Sequence, residues 1–265
     1  MKVSDNFPSS ISAEENSDLM KPVTLEEILS ILNLSKNDKS PGPYGIPVEV
    51  YRSLYEVMGL ALLRVIEDSR KSGKIPAVFN TTFLVLIPKS ANPSTFDGYR
   101  PISLCNFSYK IIGKILTTRI KKVLGRYISY EQFGFFPGRQ IHDVVGVVQK
   151  GFHSIHSKGL KSVVLKIDLS KAYDRVNWIY LRVILTKMGF GVPFITWVMS
   201  SLTSVSFSVL INGVGSSFFR SGRGLRQGCP LAPLPFLVVA EGLSRALLSA
   251  KSLVFSRASL LVIYH

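Results

Sequence analysis

Apolar positions along this chain follow two rhythms, and each rhythm predicts an element. Ile28, Ile31 and Leu32 repeat at helical spacing behind Thr24–Glu27, a TLEE capping box with Glu27 at N3. Lys36–Pro47 is rich in glycine and proline and reads as a loop. Val50, Leu54, Val57, Ala61, Val65 and Ile66 predict one helix over Val48–Arg70, with Gly73 as its stop. Phe83–Lys89 is the first clear strand, and a polar hairpin-like segment leads from it to Tyr99-Arg100-Pro101. Phe107–Leu124 returns to helical period through Ile111, Ile115, Leu116, Ile120 and Val123. A helix ending near His156, with Asp143 as its cap, uses Val144, Val147, Val148, Phe152 and Ile155.

Val163, Val164, Leu165 and Ile167 then form a short strand that delivers Asp168 at its end. Trp178, Leu181, Ile184 and Leu185 pack the next helix, which either Asp174 or Asn177 caps. Strands at Ser204–Ile211 and Ser216–Arg220 flank an Asn212-Gly213 turn and predict a hairpin. Beyond Gln227-Gly228 a mostly apolar helix begins. Pro233 suits its first turn, while Pro235 threatens a kink or a late start.

Composition narrows the partner class. The chain has 265 residues, 46% of them hydrophobic, which excludes general disorder. Its formal charge is +15, placed unevenly: residues 1–35 carry six acids and two bases, the remainder 30 bases and 11 acids. Such a field suits a polyanion, nucleic acid before an anionic membrane surface. Cys105 and Cys229 are too few and too distant in sequence for a disulfide framework or a zinc site, so a reducing interior and no disulfide-linked partner are expected. The N-terminus lacks the apolar core of a signal peptide, and no uninterrupted apolar run reaches transmembrane length. No membrane partner and an intracellular site, cytoplasm or nucleus, are therefore expected.

Two basic or aromatic stretches leave alternatives open. Lys110, Lys114, Arg119, Lys121, Lys122 and Arg126 decorate the Phe107–Leu124 helix and its end, either tracking a template backbone or forming a solvated face. In EQFGFFPGR, Phe133, Phe135 and Phe136 beside Arg139 either position template bases or plug the core beneath a turn.

The longest signal is a set of blocks in order. KIDLSKAYDRVNW resembles the first catalytic block of reverse transcriptases of non-LTR, LINE-type retroelements, in the form common in plants. IPKSANPSTFDGYRPISLCNFSYKIIGKIL resembles the fingers segment before it. EQFGFFPGRQIHD resembles the F-x-x-GR block, and INGVGSSFFRSGRGLRQGCPLAP the glycine-rich QG block. The resemblance implies an α+β chain with a partial right-hand polymerase fold, fingers plus an incomplete palm with the thumb absent. Residues 1–22 are polar and read as a flexible leader, and the resemblance gives a reverse transcriptase domain at 23–249 and a diverged tail at 250–265. It assigns Asp168 to catalysis and metal binding, and Lys89, Arg100, Gln227 and Gly228 to the incoming nucleotide. The basic residues above and Arg139 go to nucleic acid. Asp174, Gly138 and Pro230 take supporting roles.

Two-metal phosphoryl transfer needs several carboxylates, and here the pattern departs from the family. After Asp174 the only acid in the sequence is Glu241, within an AEGLS run that resembles the tail of the QG block. The acidic A-D-D block does not appear. Cys229 stands where the family usually has Asp, and Tyr44 replaces an acid in the SPGPYG loop. The expectation is a truncated reverse transcriptase domain without polymerase activity. Mg²⁺, the family's ion, is not expected to bind productively, and RNA or DNA template–primer is expected to bind weakly and without sequence preference. The competing readings are a non-catalytic nucleic-acid-binding or scaffold protein, and a degenerate product.

Overall fold

Phe107–Leu124 is the helix on which the layers rest, with Ile111, Ile112, Ile115, Leu116 and Leu124 fully buried. The computed structural model describes residues 11–129, 132, 134–135, 138–160, 162–254 and 259–264. In chain order the elements are α1 (Ala13–Leu19), α2 (Leu25–Asn33), α3 (Val48–Ser53), α4 (Tyr55–Ser72), β1 (Thr81–Pro88), β2 (Tyr99–Cys105) and α5 (Phe107–Leu124). There follow α6 (Ile141–Ser157), β3 (Ser162–Ile167), α7 (Trp178–Lys187), α8 (Val192–Thr203), β4 (Ser206–Ile211), β5 (Val214–Gly215), β6 (Phe219–Arg220), α9 (Pro233–Val254) and β7 (Ser259–Tyr264). The mixed α+β class is as the sequence implies.

The main sheet runs β2-β1-β4-β5, with β6 also on β4. β1 pairs antiparallel with β2, from Thr82↔Cys105 to Pro88↔Tyr99, and parallel with β4, from Thr81↔Ser206 to Val85↔Leu210. The Asn212-Gly213 turn has positive φ at both residues, 49° and 84°, the geometry whose twist suits a two-residue hairpin. α5 seats α1, α2 and α9 around itself, while α7 packs on α8 and α9.

Several expectations need correction. Residues 11–22, read as mobile leader from their polarity, contain α1: Ser12 and Glu15 form a reciprocal capping box, and Ile11 and Leu19 are buried. Thr24 caps α2 as expected, accepting from Glu27 N at 3.2 Å, but the Glu27 carboxylate is drawn to Arg119. The predicted helix over Val48–Arg70 is two helices broken at Leu54. The break resets the phase, so Val48, Tyr51, Leu62 and Ile66 face the core while Val50, Leu54 and Val57 are exposed. Val147 and Phe152 of α6 are likewise exposed rather than inward. Gln140, not Asp143, stands at the N-cap of α6, with Asp143 bonding back to it from N3. Asn177 caps α7, accepting from Ile179 N and Tyr180 N. Pro233 and Pro235 both fall in the first turn of α9, where the missing N–H groups would have had no helical partner.

By length and composition Pro233–Ala250 is apolar enough to cross a membrane. Here, however, Leu234, Leu237, Val238 and Glu241 are buried within the fold. Residues 250–254 continue α9, and 259–264 are β7.

Candidate nucleotide and nucleic-acid site

Two irregular segments are stitched together to make the site. The turn after β3, residues 170–175, closes through Asp174 N and Arg175 N onto Lys171 O, and Lys171 takes a positive φ of 51° to allow it. The loop after β6 then docks on this turn: Gly224 N donates to Val176 O and Leu225 N to Tyr173 O, both at 2.8 Å. Trp178 Nε1 donates to Gly224 O at 2.7 Å. Gly224 has to be glycine, because φ is 92° and a Cβ there would stand 2.8 Å from Asp174 O. Gln227 O accepts from Ser103 N of β2 at 2.7 Å, and Gln227 Nε2 donates to Asp174 Oδ1 at 3.2 Å. Three segments far apart in sequence thus hold Asp174 and Gln227 side by side.

A cleft of about 370 Å³ opens where they meet, with Lys89, Arg100, Lys171, Asp174 and Gln227 on its walls. Lys89 and Arg100 sit on the β1–β2 end of the sheet and are exposed. Lys89 Nζ donates to Asp97 O at 2.8 Å, and Lys171 Nζ pairs with Asp97 Oδ1 at 2.5 Å across the cleft mouth. Lys171, first in line, holds the Asp97 carboxyl below the usual carboxylate range, with Lys89 adding to it. The cleft therefore brings together three of the four nucleotide candidates. Gly228 is exposed one residue on, with φ 96° and a Cβ position only 3.1 Å from Ser103 O. It lines a neighbouring cleft of about 520 Å³ with Phe135, Lys171, Tyr173, Cys229 and Pro230. Phe135 is half-exposed there, whereas Phe133 and Phe136 lie outside the described residues.

Asp168 follows β3 and is exposed, but the residues lining the cationic cleft include Asp174 instead. β3 is not a central strand of the main sheet. Among the described residues it pairs with β7 alone, in a separate parallel ladder, Ser162↔Ser259 to Ile167↔Tyr264. Glu241, the one acid after Asp174, is fully buried. It accepts from Ser129 N and Oγ at 3.0 and 2.6 Å and pairs with Arg245 at 2.6 Å, so its charge serves packing of α9. Among the described residues no three His, Cys, Asp or Glu side chains cluster as a metal site. The donor set present does not fit a two-ion centre.

The basic residues divide by engagement. Arg119 is 7% exposed and spends its donors on Glu27 and on the carbonyls of Leu19, Lys21 and Pro22. It is a clamp on α1 and α2, which corrects its assignment to nucleic acid. Lys110 and Lys114 donate to Ser40 O and Ser35 Oγ at 2.7 and 2.6 Å, tethering the 35–47 loop, and burial pushes both ammonium groups down from their ordinary value. Arg126 pairs with Glu15. Arg139 donates to the carbonyls of Ile128, Ser129 and Gln132, pinning its own loop, and Gly138 beside it has φ 78°. Pro230 supports α5 by accepting from Thr117 Oγ1 at 3.1 Å. Of the α5 cations, Lys121 and Lys122 stand exposed at the end of the helix. A charge count along the sequence could not separate clamps from free cations, because both look like a basic helix face. Only the apolar neighbours Ile120 and Val123 hinted that Arg119 lies inward.

A mixed α+β chain that joins a QG turn to an aspartate turn around a cationic cleft fits the polymerase class of nucleotide-handling domains. The family described as reverse transcriptase (RNA-dependent DNA polymerase) matches residues 87–264, and the chain belongs to it. The uncharacterized 149 kDa protein of transposon TX1 from Xenopus laevis is 33% identical over 84% of this chain and 17% of its own length. The Pol polyprotein of the type-2 retrotransposable element R2DM from Drosophila melanogaster is 28% identical over 78% of this chain and 19% of its own. The RNA-directed DNA polymerase of mobile element jockey from Drosophila funebris is 27% identical over 80% of this chain and 23% of its own. These homologues are non-LTR retrotransposon proteins, and the chain spans less than a quarter of the length of each.

Proposed function

We propose that these 265 residues are the fingers and the front of the palm of a LINE-type reverse transcriptase, and that on their own they hold nucleotide without polymerising it. The observation that carries this is the convergence of Lys89, Arg100 and Gln227 on one cleft with Asp174. Cations on two sides of a cleft suit a triphosphate, whose oxygens need several donors, and Arg100 offers the planar fork that matches phosphate. Gln227, held by Asp174, presents the QG turn at the cleft wall.

Catalysis needs more than this. Asp168 is the acid of the first catalytic block, and residues 175–265 contribute only Glu241, already committed to Ser129 and Arg245. The chemistry of two divalent ions therefore has no complete set of ligands in this stretch, and no step is assigned through them. Template–primer would bind through exposed cations such as Lys121 and Lys122, by phosphate contact and without base preference.

The test is titration of the whole chain with a fluorescent deoxynucleoside triphosphate. Arg100→Ala should weaken binding about tenfold, as loss of a charged phosphate contact of about 1.5 kcal/mol implies, and Lys121→Ala should leave it unchanged. Equal affinity in wild type and Arg100→Ala would overturn the placement of nucleotide in this cleft.

A further inference from the structure

Phe218, Phe219, Arg220 and Arg223 stand together on β6 and its flanks, just ahead of the QG turn. Both rings are half-exposed and both arginines are exposed. Among the described residues neither arginine forms an ion pair. No acid occurs in the sequence between Asp174 and Glu241, and Glu241 is spent in the interior. The positive charge of this segment is therefore left for a ligand to meet.

A cavity of about 360 Å³ adjoins it, and the exposed Phe219, Gly222 and Arg223 in its lining mark where it opens. Its walls include three flat rings, those of Trp178, Phe207 and Phe219. Trp178 is held by its bond to Gly224 O, and the Phe219 ring packs on Phe207 with centroids 5.9 Å apart. The volume falls within the range of small-molecule sites and is ample for one nucleobase. Asp174 and Gln227 supply polar groups in the same lining. Asp174 Oδ1 accepts from Gln227 Nε2, and a carboxylate has room to accept from other donors as well. Arg226 also lines the cavity, but its Nη groups are committed to Asn80, Thr82 and Ser201 O, so it is not counted on for a ligand.

We propose that this cavity receives one unpaired base of a single-stranded nucleic acid, with flanking phosphates on Arg220 and Arg223 and a neighbouring base on the Phe218 ring. Aromatic platforms beside cations suit a single strand, because every base has a face to stack and every link a charge. Asp174 adds a preference. It accepts from an exocyclic amino group such as that of cytosine, whereas the N3–H of thymine stands between two carbonyl oxygens that a carboxylate repels. An acidic peptide would satisfy the arginines, but its acidic side chains bring no donor to Asp174. The inference goes beyond the nucleotide cleft and does not rest on Lys89 or Arg100, whose role the Arg100→Ala titration reads separately.

The test is fluorescence anisotropy of the intact chain with a labelled single strand of about six deoxycytidines, beside strands of the same length made of deoxythymidines or of abasic sugars. The abasic strand carries the same charge and should bind at least about tenfold more weakly, with the thymidine strand between the two. Phe219→Ala should weaken the cytidine strand about fivefold or more. Phe218→Ala, outside the Phe207–Phe219 pair, should also weaken it and keeps the test decisive if Phe219→Ala does not fold. Arg223→Ala should lower the salt slope by about 0.7, the share of one single-strand phosphate. Arg64→Ala, an equal loss of charge at an exposed position of α4, should leave the slope unchanged. Equal affinity for the abasic and cytidine strands would overturn the proposal. So would equal losses in Arg64→Ala and Arg223→Ala, or displacement of the labelled strand by polyglutamate as readily as by unlabelled cytidine strand.

Discussion

Arg119 of α5 and Glu27 of α2 meet at 2.9 Å, joining elements 92 residues apart along the chain. The arginine also gathers the carbonyls of Leu19, Lys21 and Pro22, so one side chain fastens the end of α1, the link and the start of α2 onto the central helix. Removing one partner of a buried pair leaves the other desolvated and alone. Arg119→Ala should therefore destabilise the chain by about 3 kcal/mol, and Glu27→Ala by less because its carboxylate is partly exposed. Urea unfolding would read both. If Arg119→Ala is as stable as wild type and instead loses nucleic-acid affinity, Arg119 belongs to the binding surface after all.

Gly224 is the second point where backbone decides. Its positive φ and the closeness of Asp174 O leave no room for a side chain. Gly224→Ala should disturb the turn that holds Asp174 and cost about 1–3 kcal/mol. Because Asp174 positions Gln227, nucleotide binding should weaken in the same variant. Gly222→Ala, with open space at its Cβ and no positive φ, is the matched control and should change neither stability nor binding. Parity between the two variants would show that the turn tolerates a side chain.

Much of this was legible in the sequence, and the gaps have physical causes. The α5 stripe, the Asn212-Gly213 turn and the Thr24 cap are local patterns, and each appears where periodicity or turn chemistry puts it. The hairpin's second strand differs: expected at Ser216–Arg220, it is Val214–Gly215, with Phe219–Arg220 pairing further back on β4. The stripe on α3 and α4 was misread because no proline or glycine marks the break at Leu54, and a break of one residue rotates every later position. The block resemblance named Lys89, Arg100 and Gln227, which the fold gathers in one cleft. It could not foresee that Asp174 lines that cleft, since the joining bonds run between residues about fifty positions apart. Nor could composition rank the cations of α5. Arg119 and Lys122 are three residues apart on one helix, yet the first is buried and the second exposed.

That ranking makes a binding prediction. Exposed Lys121 and Lys122 can release counterions from a phosphate backbone, whereas Lys110 and Lys114 are already donating to the 35–47 loop. Affinity for a primer–template duplex should fall steeply with added salt and show little base preference. Lys121→Ala with Lys122→Ala should lower the salt slope by roughly one phosphate-equivalent for each true contact. Lys114→Ala should act chiefly on stability. An unchanged slope in the double variant at every salt concentration would remove this helix end from the footprint.

The last prediction concerns catalysis by this stretch alone. Extension of a primer requires two divalent ions clamped by several carboxylates, and among the described residues Asp168, next to a two-stranded ladder, belongs to no such cluster. Glu241 cannot be recruited without breaking its contacts to Ser129 and Arg245 in the interior. Losing one preorganised charge-stabilising group typically costs about 3–4 kcal/mol in the barrier, and an incomplete ion site costs more. Purified chain given primer, template, Mg²⁺ and nucleotides should therefore show no extension above background. Asp168→Ala should be indistinguishable from wild type in that assay. Cys229→Asp should not restore activity, since it restores no ligand to the ion site. The decisive comparison is wild type beside Asp168→Ala at high protein concentration. Incorporation that disappears with Asp168 would mean that a complete site assembles, for instance between two copies of the chain, and the stretch would be an active polymerase.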